Sequence, residues 1–365
     1  MRALAIAMVV CAHALYIFQG YDNAFFDLMR VVGVYGVEVF FVLSGFLIGG
    51  ILLRLITTTT FSTMTVLYFW VRRWFRTLPL YFLMLLVNVL VAISIGYDLP
   101  PNLWRYFFFL QNFATEHIPF FPESWSLSVE EYAYLIAPLC LFLCSKFIVN
   151  KERIFIFTAI FLSLVFFVTK VYYQLNFAKE YQTMLLWNSH LKSIVIYRLD
   201  AIFYGFIMAY LFCKNFEGIK KMKNVLLLMG ITICFAVLIV VPFLGVFIEN
   251  CSWYWNVLYL PLNSIGIALM LPYLYFLKEP RKSLKYVIEK VSLYSYAMYL
   301  LHYTFILYLM QVNFNFETLS FLQRLLFVLV YFGLTYLLSK LVYTCFERPF
   351  TNLRDSNVIK HFFIK

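Results

Sequence analysis

The sequence predicts an all-α membrane protein, a bundle of about ten transmembrane helices with one short re-entrant or interfacial helix. Three observations carry this prediction. Of 365 residues, 64% are hydrophobic and only 13% charged, against roughly 45–50% and about 25% in soluble domains. Mean hydropathy is +0.83. The apolar residues also gather into runs of about 20, the length that crosses a hydrocarbon core of about 30 Å as a helix.

The runs lie at 3–19, 33–56, 77–97, 125–148, 154–173, 193–213, 225–247, 254–277, 291–312 and 320–346. The segment 103–113 (LWRYFFFLQNF) is apolar and aromatic, but about eleven residues rise only about halfway through the core. It is therefore read as re-entrant or interfacial. The loops between runs are short, so residues 1–346 form a single transmembrane domain and 347–365 a short tail.

Net charge is +11, which in such a chain first suggests basic cytosolic loops. With ten spans and a cytosolic amino terminus, Arg54, Arg72, Arg73 and Arg76, Lys220, Lys221 and Lys223, and Lys282 and Lys285 all fall on the cytosolic side. Counting 103–113 as a span would move the later basic loops outward, against the positive-inside rule. Both termini are expected in the cytosol, with the chain multi-pass in the cytoplasmic (inner) membrane. The cysteines have neither redox nor zinc spacing, so no metal site is expected. Nucleic acid is not needed to explain the charge. Ala12-His13-Ala14 has the form of a leader-cleavage site, but a histidine inside an apolar leader core argues against cleavage.

Ionisable residues inside spans are the candidate functional groups. Arg2 and His13 are eleven positions apart, three helical turns plus about 20°, so both project from one face, about 16 Å apart along the axis. Arginine stands at the boundary and the imidazole midway, where a neutral ring can serve as general base. An Arg2 that only sets orientation and a His13 that only bonds between helices are the structural alternatives. Arg72, Arg73 and Arg76, at i, i+1 and i+4 before Pro79, form a guanidinium cluster suited to a phosphate-rich ligand or to anionic lipid.

Glu38, in the run VYGVEVFFVLSGFLI, either orients an imidazole or hydrogen-bonds an acceptor hydroxyl, or else makes a structural contact to Arg30 or a backbone donor. Gly33, Gly36, Gly45, Gly49 and Gly50 read as close-packing positions. Ser128-x-x-Glu131 fits a capping box at the start of the fourth span, leaving Glu130 free to meet an acceptor or a helix dipole. Arg198 and Asp200 diverge on their helix and require separate partners. His302, in Tyr299-Leu-Leu-His302, lies midway through the ninth span. Glu347-Arg348-Pro349 reads as a helix stop.

Taken in order, Arg2-x10-His13, GVEVFFVLSGFLI, Arg72-Arg73-x-x-Arg76 with Pro79 and Tyr81, WSLSVEEYAYLIAP, Arg198-x-Asp200, YLLH and ERP resemble the acyltransferase-3 family of integral membrane acyltransferases. The resemblance implies O-acylation of an envelope or secreted glycan from a cytosolic acyl-CoA, usually acetyl-CoA, used as co-substrate with no permanently bound cofactor. It also implies catalytic roles for His13 and Arg2 and a donor site at Arg72, Arg73 and Arg76. Glu38, Glu130, Asp200 and His302 are then candidates for the acceptor path. Members usually carry several residues before that first arginine, so a start upstream of Met1 is expected. Some members end in an SGNH-type domain, and none is expected here; transfer is either completed by this chain or handed to a separate acyl-accepting partner protein. A transporter of glycan or lipid precursors, and a scaffold subunit, are the competing readings.

Overall fold

Polar residues in the short loops set where the helices begin. In the computed structural model, which describes residues 1–21, 23–178 and 182–356, Asn23 accepts the amides of Phe25 and Phe26 and opens α2, Ala24–Thr58. Ser62 and Thr65 close a reciprocal capping box on α3, Thr63–Ser94, and Asn150 caps α5, Lys151–Asn176. These side chains satisfy amides that the first helical turn leaves open. The first helix, α1, is Arg2–Ala14, extended by a 3-10 turn over Leu15–Phe18. The others are α4, Ser124–Cys144; α6, Leu199–Lys214; α7, Phe216–Phe235; α8, Tyr259–Tyr275; α9, Lys282–Leu301; and α10, Phe321–Val342.

The fold is all-α, with no strand among the described residues. Among the described residues, seven helical stretches are long and apolar enough to cross a membrane by length and composition. The predicted spans 3–19, 193–213 and 291–312 are not among them: the first is a shorter apolar helix, Arg2–Phe18, the second centres on a 16-residue helix, and the third is rich in tyrosine. Leu103–Phe108 is a six-residue 3-10 helix, too short to span. Leu86, Leu90, Phe157, Phe161 and Leu329 are each more than half exposed on the outside of the bundle, the apolar girdle that lipid would cover.

Helix α2 packs most closely on α6, and α1 lies between α2 and α9. The α2–α6 contact depends on two glycines. A Cβ on Gly45 would meet the Ile202 backbone, and one on Gly205 would meet the backbone of Val42 and Phe46. Small residues thus bring the two backbones together, as expected in a membrane bundle. Gly50 departs from the close-packing expectation, since nothing stands within 4 Å of its missing Cβ. Gly45→Val is therefore expected to lower stability by at least about 1–3 kcal/mol through overpacking, whereas Gly50→Ala should be neutral or slightly stabilising. Thermal unfolding in detergent separates the two.

The last helix does not stop at Glu347-Arg348-Pro349. It runs through a π turn at Tyr343–Glu347 into Arg348–Arg354. Proline is accepted at the start of that final segment because the π turn has already opened the regular ladder, so its absent N–H breaks no helical bond.

One end of the bundle collects basic side chains. Lys151 donates to the Thr59 carbonyl (3.1 Å), Lys214 pairs with Glu152 (2.5 Å), and Arg72 pairs with Asp355 (3.0 Å).

Candidate functional site

A cavity of about 350 Å³ opens among α1, α2, α3, α4 and α9. Its walls are mainly apolar and aromatic, including Phe40, Phe41, Leu47, Ile48 and Tyr296. Arg2, Arg73 and Arg76 all line it. None of the three makes a salt bridge among the described residues. Arg73 rests against the rings of Phe69 (5.7 Å) and Tyr134 (6.0 Å), contacts that orient a guanidinium without neutralising it. The carboxylate on this wall is Glu130, and it is already engaged: Ser44 donates to it at 2.8 Å and Tyr134 at 3.0 Å. The cavity is thus a basic pocket of low polarity, the chemistry expected of an anion site.

Arg72 does not join this wall. The cavity takes Arg73, Arg76 and Thr77. Arg72 turns to the surface, where Tyr68 (3.0 Å) and Asp355 hold it. Glu131 accepts a hydrogen bond from Thr77 across the α3–α4 contact (2.6 Å), so it is not the partner of Ser128 in a capping box. The helix begins at Ser124, four residues before Ser128. Ser128 instead accepts from the buried Gln111 amide (2.8 Å).

The two intramembrane histidines meet. Nδ1 of His13 lies 2.9 Å from Nε2 of His302, and the rings stand 4.9 Å apart, with Tyr303 also 4.9 Å from His13. His302 is fully buried. Its Nδ1 faces the carbonyls of Tyr299 (2.8 Å) and Met298 (3.1 Å). Neither histidine lines the arginine cavity. Tyr299, which contacts His302, and Ser126 both line it and share a 2.5 Å hydrogen bond. The cavity and the histidine pair are therefore joined through Tyr299, whose side chain lines the one and whose carbonyl faces Nδ1 of His302.

Glu38 is fully buried and forms an ion pair with Arg198, with Ser264 donating to its other oxygen (2.9 Å). Asp200 pairs with buried Lys170. Arg198 and Asp200 thus take separate partners, as their spacing requires. Of the four candidate acceptor residues, Glu38 and Asp200 are occupied by buried cations, Glu130 lies on the arginine cavity, and His302 lies against His13.

Sequence reasoning passed over Lys192, Ser126 and Thr304. Lys192 donates to Asn188 (3.0 Å) and lies over the Trp125 ring (5.6 Å). Its enclosure by protein, and then Arg198, bring the ammonium down to about 8. A signal for the cavity wall was present, because Ser126, Glu130 and Tyr134 recur at i, i+4 and i+8, a polar stripe on one face of an apolar helix.

A family model described as an acyltransferase domain matches residues 1–344. Over 135 residues the chain is 31% identical to the peptidoglycan O-acetyltransferase OatA of Listeria monocytogenes. That alignment covers 33% of this chain and 21% of the relative, so the chain spans about a fifth of that protein's length. No solved structure matches the chain.

Proposed function

The chain belongs to the acyltransferase-3 family, and from that membership and the arginine cavity we propose a membrane O-acyltransferase that moves an acyl group from cytosolic acyl-CoA to a hydroxyl of an envelope glycan. The observation that carries the proposal is the convergence of Arg2, Arg73 and Arg76, without an ion pair among the described residues, on one apolar-walled cavity of about 350 Å³. Three guanidinium groups facing one carboxylate leave excess positive charge on a mainly apolar wall, a costly arrangement that a phosphorylated ligand relieves. The volume falls at the small end of ligand pockets, which suits a slender acyl-pantetheine arm with its phosphates at the arginines. Acetyl-CoA is the donor this reading takes first. The gathering of basic side chains at that end supports a cytosolic orientation for it, with both termini on the same side.

In the proposed reaction His13 takes the proton from a glycan hydroxyl as the oxygen attacks the thioester carbonyl. The tetrahedral intermediate collapses, the C–S bond breaks, and the CoA thiolate leaves and recovers the proton from the imidazolium. Because Tyr299 lines the cavity and contacts His302, the thioester in this reading reaches His13 past the Tyr299 and Ser126 hydroxyls. The acceptor comes from the other end, where Lys192 and Trp125 are close to each other. The acetylated glycan is either the final product or is formed through a separate acyl-accepting protein. The relative's name makes peptidoglycan the first acceptor to assay.

Membranes containing the protein are expected to move label from radiolabelled acetyl-CoA to glycan. Arg73→Ala and Arg76→Ala should each raise KM for acetyl-CoA roughly 10- to 150-fold, the loss of one charge-assisted contact of about 1.5–3 kcal/mol. Arg72→Ala should change it less than about threefold, since its partners lie outside the cavity. Label that stays on the donor, with normal amounts of protein in the membrane, removes the acyl-transfer reading and leaves the transporter and scaffold readings.

A further inference from the structure

The histidine pair fixes its own protonation pattern. Nδ1 of His302 faces two carbonyl oxygens, at 2.8 and 3.1 Å, and carbonyls only accept. Nδ1 therefore carries the proton. A neutral imidazole has a single N–H, so Nε2 of His302 presents a lone pair to Nδ1 of His13, 2.9 Å away. Nδ1 of His13 must then be the donor, which leaves its basic lone pair on Nε2. A doubly protonated ring would be a buried charge without a carboxylate in ion-pair range among the described residues, a costly state.

The backbone around His302 is also held from outside its helix. A π segment, His302–Tyr308, starts at this residue, and π turns shift the helical ladder so that amides lose their regular partners. Thr304 gives its amide to one oxygen of Glu123 (2.8 Å) and its hydroxyl to the other (2.7 Å). Glu123 is buried at the start of α4, so α4 pins the turn that carries His302.

We infer that His302 is a positioning residue that sets the tautomer and ring orientation of His13, with Glu123 clamping the π turn beneath it. The inference rests on the proposed role of His13 as base. His302 acts through His13 and touches no reacting atom, in the way a third group orients the base of a nucleophile–base pair.

The test uses the full chain in membranes and compares His302→Gln with His302→Asn. Glutamine extends to the depth of Nε2 and can offer its carbonyl oxygen to His13. Asparagine ends at the depth of Nδ1 and cannot. The glutamine variant is expected to retain kcat within about fivefold. The asparagine variant should lose about 10- to 100-fold, part of the roughly 10²–10⁴-fold that a general base supplies. KM for acetyl-CoA should hold within about twofold in both, since His302 does not line the arginine cavity. Equal kcat in the two variants, a change carried by KM, or failure of both to accumulate in the membrane would each overturn the inference. His13→Ala, measured in parallel, separates the two levels. If it is fully active, the base reading itself fails. If it is inactive while both His302 variants are fully active, only the positioning role fails.

Discussion

His13→Ala is expected to reduce kcat for acetyl transfer by about 10²–10⁴-fold, with KM for acetyl-CoA changed by no more than a few fold. The split follows from geometry. The donor's phosphates are assigned to Arg2, Arg73 and Arg76 on the cavity wall, whereas His13 does not line the cavity and meets His302. Removing the imidazole therefore leaves ground-state donor binding in place and takes away the proton acceptor needed only as the C–O bond forms. The fold should tolerate the change. His13 contributes one hydrogen bond to His302, and its truncation leaves Nε2 of His302 without that donor, a penalty of about 1–3 kcal/mol. The measurement is a rate with labelled acetyl-CoA and glycan in membranes matched for protein amount. Full activity in that variant would sink the assignment, and a loss carried wholly by KM would move His13 from the chemistry to the donor site.

What the sequence disclosed about this site depended on how far along the chain each partner lies. The common face of Arg2 and His13 is a property of one helix and follows from an eleven-residue spacing. The divergence of Arg198 from Asp200 is likewise local, and both buried pairs obey it. The join between the cavity and the histidine pair is different. It is built where α4 brings Ser126 against Tyr299 of α9, 173 positions away, and no local periodicity encodes that meeting. Arg72 and Arg76 share a helical side by spacing, but Asp355, near the far end of the described chain, takes Arg72 out of the cluster. The Ser128-x-x-Glu131 motif misled because a capping box is a statement about where a helix starts. Here the helix starts earlier and Thr77 takes the glutamate. The π segment at His302 had no sequence signal, and the Glu123 carboxylate that holds its Thr304 lies 181 positions away in the chain.

Glu38→Ala is expected to destabilise the protein by about 3–5 kcal/mol, the cost of leaving one member of a buried ion pair uncompensated. Arg198 is 1% exposed and Glu38 0%, so neither charge reaches water when its partner is removed. The pair also ties α2 to the start of α6, 160 positions apart, and Ser264 of α8 adds a third helix. Lys170 with Asp200 does the same between α5 and α6. Four charges that sum to zero thus tie α6 to α2 and to α5 beside its close backbone contact with α2 through Gly45 and Gly205. On this account Glu38→Ala and Arg198→Met each reduce the amount of folded protein in membranes and its unfolding temperature in detergent. The double variant, in which no isolated charge remains, recovers much of the loss and gives a coupling energy of about 1 kcal/mol or more. An acceptor-binding role makes the opposite prediction. Glu38→Gln would then accumulate and unfold like the parent protein while KM for glycan rose, and the Arg198 substitution would not rescue it. Because both measurements are made on the same membranes, that pattern would return Glu38 to the acceptor path and remove it from the architecture of α2 and α6.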